Sequence, residues 1–168
     1  MSRLTIWLGL ASVWTVQATA CTCFPSTAAE ATEFASVVFR GTPTYIERLP
    51  EHPRMKGRQR YAVTFRIDHF WKGEPKRTLV LYDIDPGTDC MGASYQLGIE
   101  YLVFAREQPA EDREYAPDDF AYGWTDVLAP GSGMLVPLTG CMPGGETSRS
   151  DVRKHLRELG RGKIPKPE

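Results

Sequence analysis

The residues of this chain best equipped for chemistry are its four cysteines, Cys21, Cys23, Cys90 and Cys141. Two of them flank one residue, in the run Cys21-Thr22-Cys23, and that run directly follows Ala18-Thr19-Ala20. Small residues three and one before Cys21 form a signal-peptidase site, so Cys21 is expected to become the first residue of the mature chain. The α-amine and carbonyl oxygen of one terminal residue can close a five-membered chelate ring on a metal ion. The amine has a reference pKa of about 8, which leaves a neutral, ligating fraction near neutral pH. Zinc in a hydrolase keeps one position open for water, and a rigid bidentate donor would take that position. Two half-cystines beside the terminus would supply the rigidity, because ordering done in advance is not a cost at binding.

The segment before Cys21 has the make-up of an export signal. Arg3 supplies a positive charge, and Leu4 to Val16 is mostly apolar, with Ile6, Trp7, Leu8, Leu10, Val13 and Trp14. The run is shorter than the roughly 20 residues needed to cross a bilayer. Residues 1–20 are therefore assigned as a signal peptide, 21–160 as one domain and 161–168 as a flexible tail. The protein is expected to be secreted, extracellular or periplasmic. The competing route is acylation of Cys21 as a lipoprotein cysteine, which would block its amine; such sites usually carry Leu where Ala18 stands. Removing residues 1–20 from the 168 leaves 148, enough for one real core. It also leaves 19 basic against 21 acidic residues, which gives no electrostatic footprint for nucleic acid.

An even cysteine count in an exported chain indicates two disulfides. Pairing Cys21 with Cys23 would strain a very small ring; either remaining connectivity ties the N-terminus to two distant points. Each such loop carries a nominal ~4 kcal/mol of chain entropy. Zinc held by the chain itself is a weaker expectation, since His52, His69 and His155 lack ligand spacing. No hydrolase or phosphate-loop signature is present, and the chain is not expected to be an enzyme. His69, between Asp68 and Phe70, is read as structural. The cluster Asp83, Asp85 and Asp89 is read as a turn, because it lacks the spacing of a calcium loop. No cofactor and a monomeric state are expected.

Elements to position the terminus follow from periodicity. Thr27 and Glu30 fit a capping box opening a helix to about Ala35, with Ala31 and Phe34 facing inward. Val37 to Ile46 reads as a strand bent at Gly41 and Pro43. Glu47 to Arg60 reads as a charged, solvated loop. Tyr61 to Trp71 alternates, with Val63, Phe65 and Ile67 on the apolar face. Thr78 to Tyr82 and Tyr101 to Ala105 are further strands, and Gln108 to Phe120 is an acidic excursion. Tyr122 to Leu128 and Met134 to Leu138 suggest a hairpin. Ser150 is expected to cap a last helix with Val152, Leu156 and Leu159 as its stripe and Gly160 at its end. Short strands without a βαβ rhythm predict a mainly β fold: a five-stranded OB-type barrel with a short N-terminal helix and a C-terminal helix.

These residues resemble a known family. Cys21-Thr22-Cys23-Phe24-Pro25 looks like the start of mature tissue inhibitors of metalloproteinases, within the netrin-like module group. The resemblance continues through Val38-Phe39-Arg40-Gly41, Phe70-Trp71-Lys72-Gly73, Cys90, Tyr95-Gln96-Leu97-Gly98-Ile99-Glu100-Tyr101 and Thr139-Gly140-Cys141. It implies an OB-type barrel, disulfides Cys21–Cys90 and Cys23–Cys141, and chelation of a target protease's catalytic zinc by the Cys21 amine and carbonyl. It further implies that Thr22 enters the primed-side pocket and that Thr88, Asp89 and Met91 beside Cys90 line the same ridge. The partner would be a zinc metalloprotease, with no membrane contact unless Cys21 is lipidated. The family's third N-domain disulfide and its Cys-rich C-terminal domain have no counterpart here. The netrin-like group also contains modules that inhibit no protease, so a non-inhibitory binding module is the alternative.

Overall fold

A computed structural model describes residues 27–51, 57–84, 94–107, 134–138 and 144–166. Its elements run α1 (Ala28–Phe34), β1 (Val37–Leu49), β2 (Arg60–Lys72), β3 (Thr78–Ile84), β4 (Tyr101–Glu107), β5 (Leu135–Pro137), β6 (Gly145–Glu146) and α2 (Ser150–Leu159). Five strands close on themselves in the order β1-β2-β3-β5-β4, with β4 returning to β1 and β6 pairing onto β4. All neighbours are antiparallel except β3 and β5, which are parallel at Leu81 and Leu135.

Closure depends on β1, which serves two partners. Val37 to Gly41 pair with Ala105 to Tyr101 of β4, and Val38 to Leu49 pair with Lys72 to Arg60 of β2. One strand can turn between two neighbours only if it bends, and the β1–β2 register shifts three times, at Val38/Phe39, Arg40/Gly41 and Pro43/Tyr45. Gly41 sits at the middle shift because the strands nearly touch there: a Cβ on it would lie 2.6 Å from the Arg66 carbonyl oxygen. The same pairing lengthens the hairpin beyond the sequence expectation. Glu47, Arg48 and Leu49, read as loop, pair with Ala62, Tyr61 and Arg60. Gln59 supports this end by donating to the Leu49 and Arg60 carbonyls.

The barrel interior is filled by Val37, Phe39, Val63, Phe65, Ile67, Phe70, Leu81, Tyr101, Val103 and Ala105. Phe39, Phe65, Tyr95 and Tyr101 form an edge-to-face ladder with centroid spacings of 5.4, 5.0 and 5.1 Å. A second layer lies outside the barrel wall, where Val38, Leu102 and Phe104 pack against Ala28, Ala31 and Ala35 at α1 and Val152 of α2. This explains the continuous apolar run of β4: Tyr101, Val103 and Ala105 face the interior, and Leu102 and Phe104 face the helices. Three alanines let α1 approach closely. Phe34, expected to face inward, is 49% exposed, and Ala28 is buried in its place.

Local signals set the helix ends. The Thr27–Glu30 capping box is present in both directions. Lys72 donates to the Thr32 and Glu33 carbonyls at the other end of α1, at 2.7 and 3.1 Å. Gly73, at φ +76, turns the chain beneath Ser36 and Val37. The N-cap of α2 is Arg149, not Ser150, and makes no side-chain cap; its guanidinium instead pairs with Asp151 in the first turn at 2.6 Å. Gly160 ends α2 at φ +70, as expected. In the segment expected to be a loose tail, Lys163 exchanges both backbone hydrogen bonds with Phe70 of β2.

Candidate functional site

The residues expected to build a chelating terminus, Cys21, Thr22, Cys23, Thr88, Asp89, Cys90, Met91 and Cys141, lie outside the described residues, and so do the two expected disulfides. The elements that flank them are described. Thr27, four residues after Cys23, opens α1 with its capping box. Ser36, after the helix, donates its N–H to the Ala105 carbonyl at 2.8 Å, so α1 is fastened to β4 at its far end. Leu138, three residues before Cys141, donates to the Phe104 carbonyl at 2.7 Å. Gly144, three residues after Cys141, lies where a Cβ would meet the Leu102 carbonyl oxygen at 2.9 Å. Leu138 and Ala28 pack into one apolar cluster.

Cys90 belongs to the connection whose stems are Ile84 and Ser94. Both stems are held by polar groups at the barrel mouth. Asp83 is 1% exposed, and its carboxylate accepts the Ile84 N–H at 2.8 Å. It was expected to lie in an acidic turn with Asp85 and Asp89, but it is the last residue but one of β3, opposite Tyr61; Asp85 and Asp89 fall outside the described residues. On the other stem, the Tyr101 hydroxyl accepts the Gln96 N–H at 3.0 Å and donates to the Ser94 carbonyl at 3.4 Å. Burial pushes the Tyr95 phenol well above 10.0, helped by the Asp83 charge and then by Tyr101. Burial also raises Tyr101, against the Gln96 hydrogen bond, which favours its ionised form. No local motif marks this Asp83, Tyr95 and Tyr101 group, because its members are spread over two strands and a loop.

A second polar group lies on the outer wall. Arg40 Nη2 donates to His69 Nδ1 at 2.8 Å, and Arg40 Nε faces Glu100 Oε1 at 3.3 Å. Thr147 donates its hydroxyl to Glu100 Oε2 at 2.9 Å and its N–H to the Glu100 carbonyl. Guanidinium has no acceptor, so Nδ1 of His69 is the accepting nitrogen. This joins β1, β2, the segment before β4 and the turn before α2. His69 is thereby committed to a hydrogen bond within the fold. His155 faces Glu158 on α2, and His52 is outside the described residues. Among the described residues no group of His, Cys, Asp or Glu could hold a metal ion. Among them, too, no helix is long and apolar enough to cross a membrane.

No protein-family model matches the chain, and no curated protein matches it. The sequence landmarks therefore rest on their places in the fold. Val38-Phe39-Arg40-Gly41 and Phe70-Trp71-Lys72-Gly73 are cross-strand neighbours, with Phe39 paired to Phe70 and Val38 to Lys72. Each landmark residue has a structural task. Phe39 and Phe70 fill the interior, Val38 and Trp71 pack under the helices, Lys72 caps α1, and the two glycines permit close approach. These landmarks specify a barrel with α1 pinned to its wall; they are silent on inhibition.

Proposed function

We propose that this protein is a secreted inhibitor of zinc metalloproteases, built on an OB-type, netrin-like barrel. The α-amine and carbonyl oxygen of Cys21 chelate the catalytic zinc of the target and displace its bound water. Disulfides Cys21–Cys90 and Cys23–Cys141 hold the terminus to the barrel. Thr22 enters the primed-side pocket, and Thr88, Asp89 and Met91 contact the other side of the cleft.

One observation carries the proposal: two cysteines flank a single residue immediately behind Ala18-Thr19-Ala20, the small-residue end of an apolar N-terminal run, in a chain whose other two cysteines lie far along the sequence. The barrel supports it. Five strands closed in the order β1-β2-β3-β5-β4, with a helix at each end of the described chain, suit the OB-type assignment. The shared packing of Ala28 and Leu138 favours a Cys23–Cys141 bridge, since few residues separate each cysteine from that cluster. The stems at Ile84 and Ser94 are fixed by buried groups, which suits a contact loop that must not move.

Mass spectrometry of the exported protein tests the covalent part. The expected product starts at Cys21 with a free amine and yields the two named bridges on non-reducing digestion. A diacylglyceryl adduct on Cys21, or a mature start elsewhere, would exclude chelation by this amine and would favour an anchored or purely binding module.

A further inference from the structure

The far end of β2 borders a surface that the proposed function does not involve. β3 pairs with β2 only from Arg60 to Arg66, and among the described residues no strand pairs with the rest of that edge of β2. The Arg77 carbonyl takes the Ile67 N–H at 2.7 Å, and the segment after α2 takes Phe70 through two bonds to Lys163, at 2.8 and 2.7 Å. That segment is locked in place. The Trp71 indole N–H donates to the Gly160 carbonyl at 3.0 Å. Gly162 lies so close to β2 that a Cβ would stand 3.1 Å from His69, Phe70 and Trp71 atoms.

Between this segment and the β2–β3 turn runs an open groove of about 740 Å³, lined by Phe70, Glu74, Pro75, Lys76, Lys163, Ile164 and Lys166. Its size is in the range of ligand sites, roughly 300–1,000 Å³. Phe70 and Pro75 contribute apolar surface, and Ile164, 69% exposed, adds to it. Lys76, Lys163 and Lys166 make no ion pair with any described residue. The whole chain has a net charge of −1, so three lysines around one apolar floor are a local excess. Pro75 and Pro165 limit backbone freedom on both walls, which lowers the ordering cost of binding.

We propose that this groove docks a short polypeptide segment of alternating acidic and apolar residues from a partner protein. The carboxylates meet Lys76, Lys163 and Lys166, and the apolar side chains cover Ile164 and Phe70. A concave site with Glu74 among its lysines suits such a segment better than a flat, uniformly anionic membrane. Its lining includes none of the residues on which the proposed inhibition rests, so it goes beyond that function.

Fluorescence anisotropy of the full mature protein tests this, using a labelled octapeptide in which glutamate alternates with leucine, and a second in which glutamine replaces glutamate. Binding of the acidic peptide in the micromolar range is expected, at least tenfold tighter than its amide counterpart. An exposed ion pair contributes about 1.4- to 5-fold in affinity, so reversing two lysines in Lys163→Glu/Lys166→Glu should weaken binding about tenfold. Arg153→Glu/Lys154→Glu, which makes the same charge change on exposed α2 residues, should change it less than about twofold. Thermal melting of both variants checks that they remain folded. Equal binding of the two peptides, equal losses in the two variants, or binding to phosphatidylserine vesicles but not to the acidic peptide would overturn the proposal. A variant with Ala added before Cys21 should bind the peptide normally, so this result is independent of inhibition.

Discussion

Replacing Gly41 by alanine tests the geometry that closes the barrel. The new Cβ would lie 2.6 Å from the Arg66 carbonyl oxygen and 3.3 Å from the Arg66 carbonyl carbon and the Ile67 Cα. Ordinary contact begins at 3.4 Å, and all three atoms are backbone, so no side chain can swing aside. β1 and β2 would have to part by the difference between 2.6 and 3.4 Å, at a place where the register already shifts. Overpacking of this kind costs about 1–3 kcal/mol. Loss of glycine's freedom in the unfolded chain offsets about 0.4–1 kcal/mol of that. Taking the middle of each range, about 2 less about 0.7, the net expectation is a destabilisation of about 1.3 kcal/mol. With a urea m-value of about 2 kcal/mol/M, the midpoint should fall by roughly 0.5–1 M at unchanged m. An unchanged or higher midpoint would refute the close approach, and with it the explanation of glycine at the bend of β1.

Thr27→Ala removes the capping box of α1 and should cost about 1 kcal/mol by urea unfolding; no loss would mean that the box does not hold the helix start. The Tyr95 phenol is raised by burial, so the unfolded chain ionises first and stability should fall as pH climbs past 10.0. Tyr95→Phe should flatten that alkaline limb, and identical urea midpoints against pH for both proteins would contradict it. The Glu158 carboxyl is held below 4.5, first by its hydrogen bond with His155 and also by the Ala28 N–H. That contribution is present above 4.5 and is lost as pH falls through the lowered value, so Glu158→Gln should show a shallower acid limb in the same assay.

The barrel was legible where one face of a strand is wet. Val63, Phe65 and Ile67 alternate with Thr64, Arg66 and Asp68 in β2, and the burial follows that alternation. The capping box and the α2 stripe were equally local and equally clear. Signals failed where a distant partner decides. Glu47 to Leu49 look like loop by charge, yet β2 offers them a ladder. Phe34 looks like core by type, yet the small faces of Ala28, Ala31 and Ala35 allow the closest approach to β4 and leave Phe34 outside. Asp83 looks like turn by its acidic neighbours, yet it lies within β3 with its carboxylate buried. Lys163 looked like tail, and only the free edge of β2 explains its pairing. For the candidate site the sequence remains the main source. Cys21, Cys23, Cys90 and Cys141 are read from their spacing and from the residues before Cys21, and all four lie outside the described residues.

The most direct measurement of the central claim compares the mature protein with a version carrying one extra Ala before Cys21, both titrated against a panel of zinc metalloproteases. The extension converts the Cys21 amine to an amide and leaves the barrel untouched. Losing one partner of a buried charged contact costs about 3 kcal/mol, or roughly 100-fold in inhibition constant. The account predicts tight inhibition of at least one protease by the mature protein and a loss of about 100-fold or more on extension. Equal inhibition by both forms, or none by the mature protein, would contradict it.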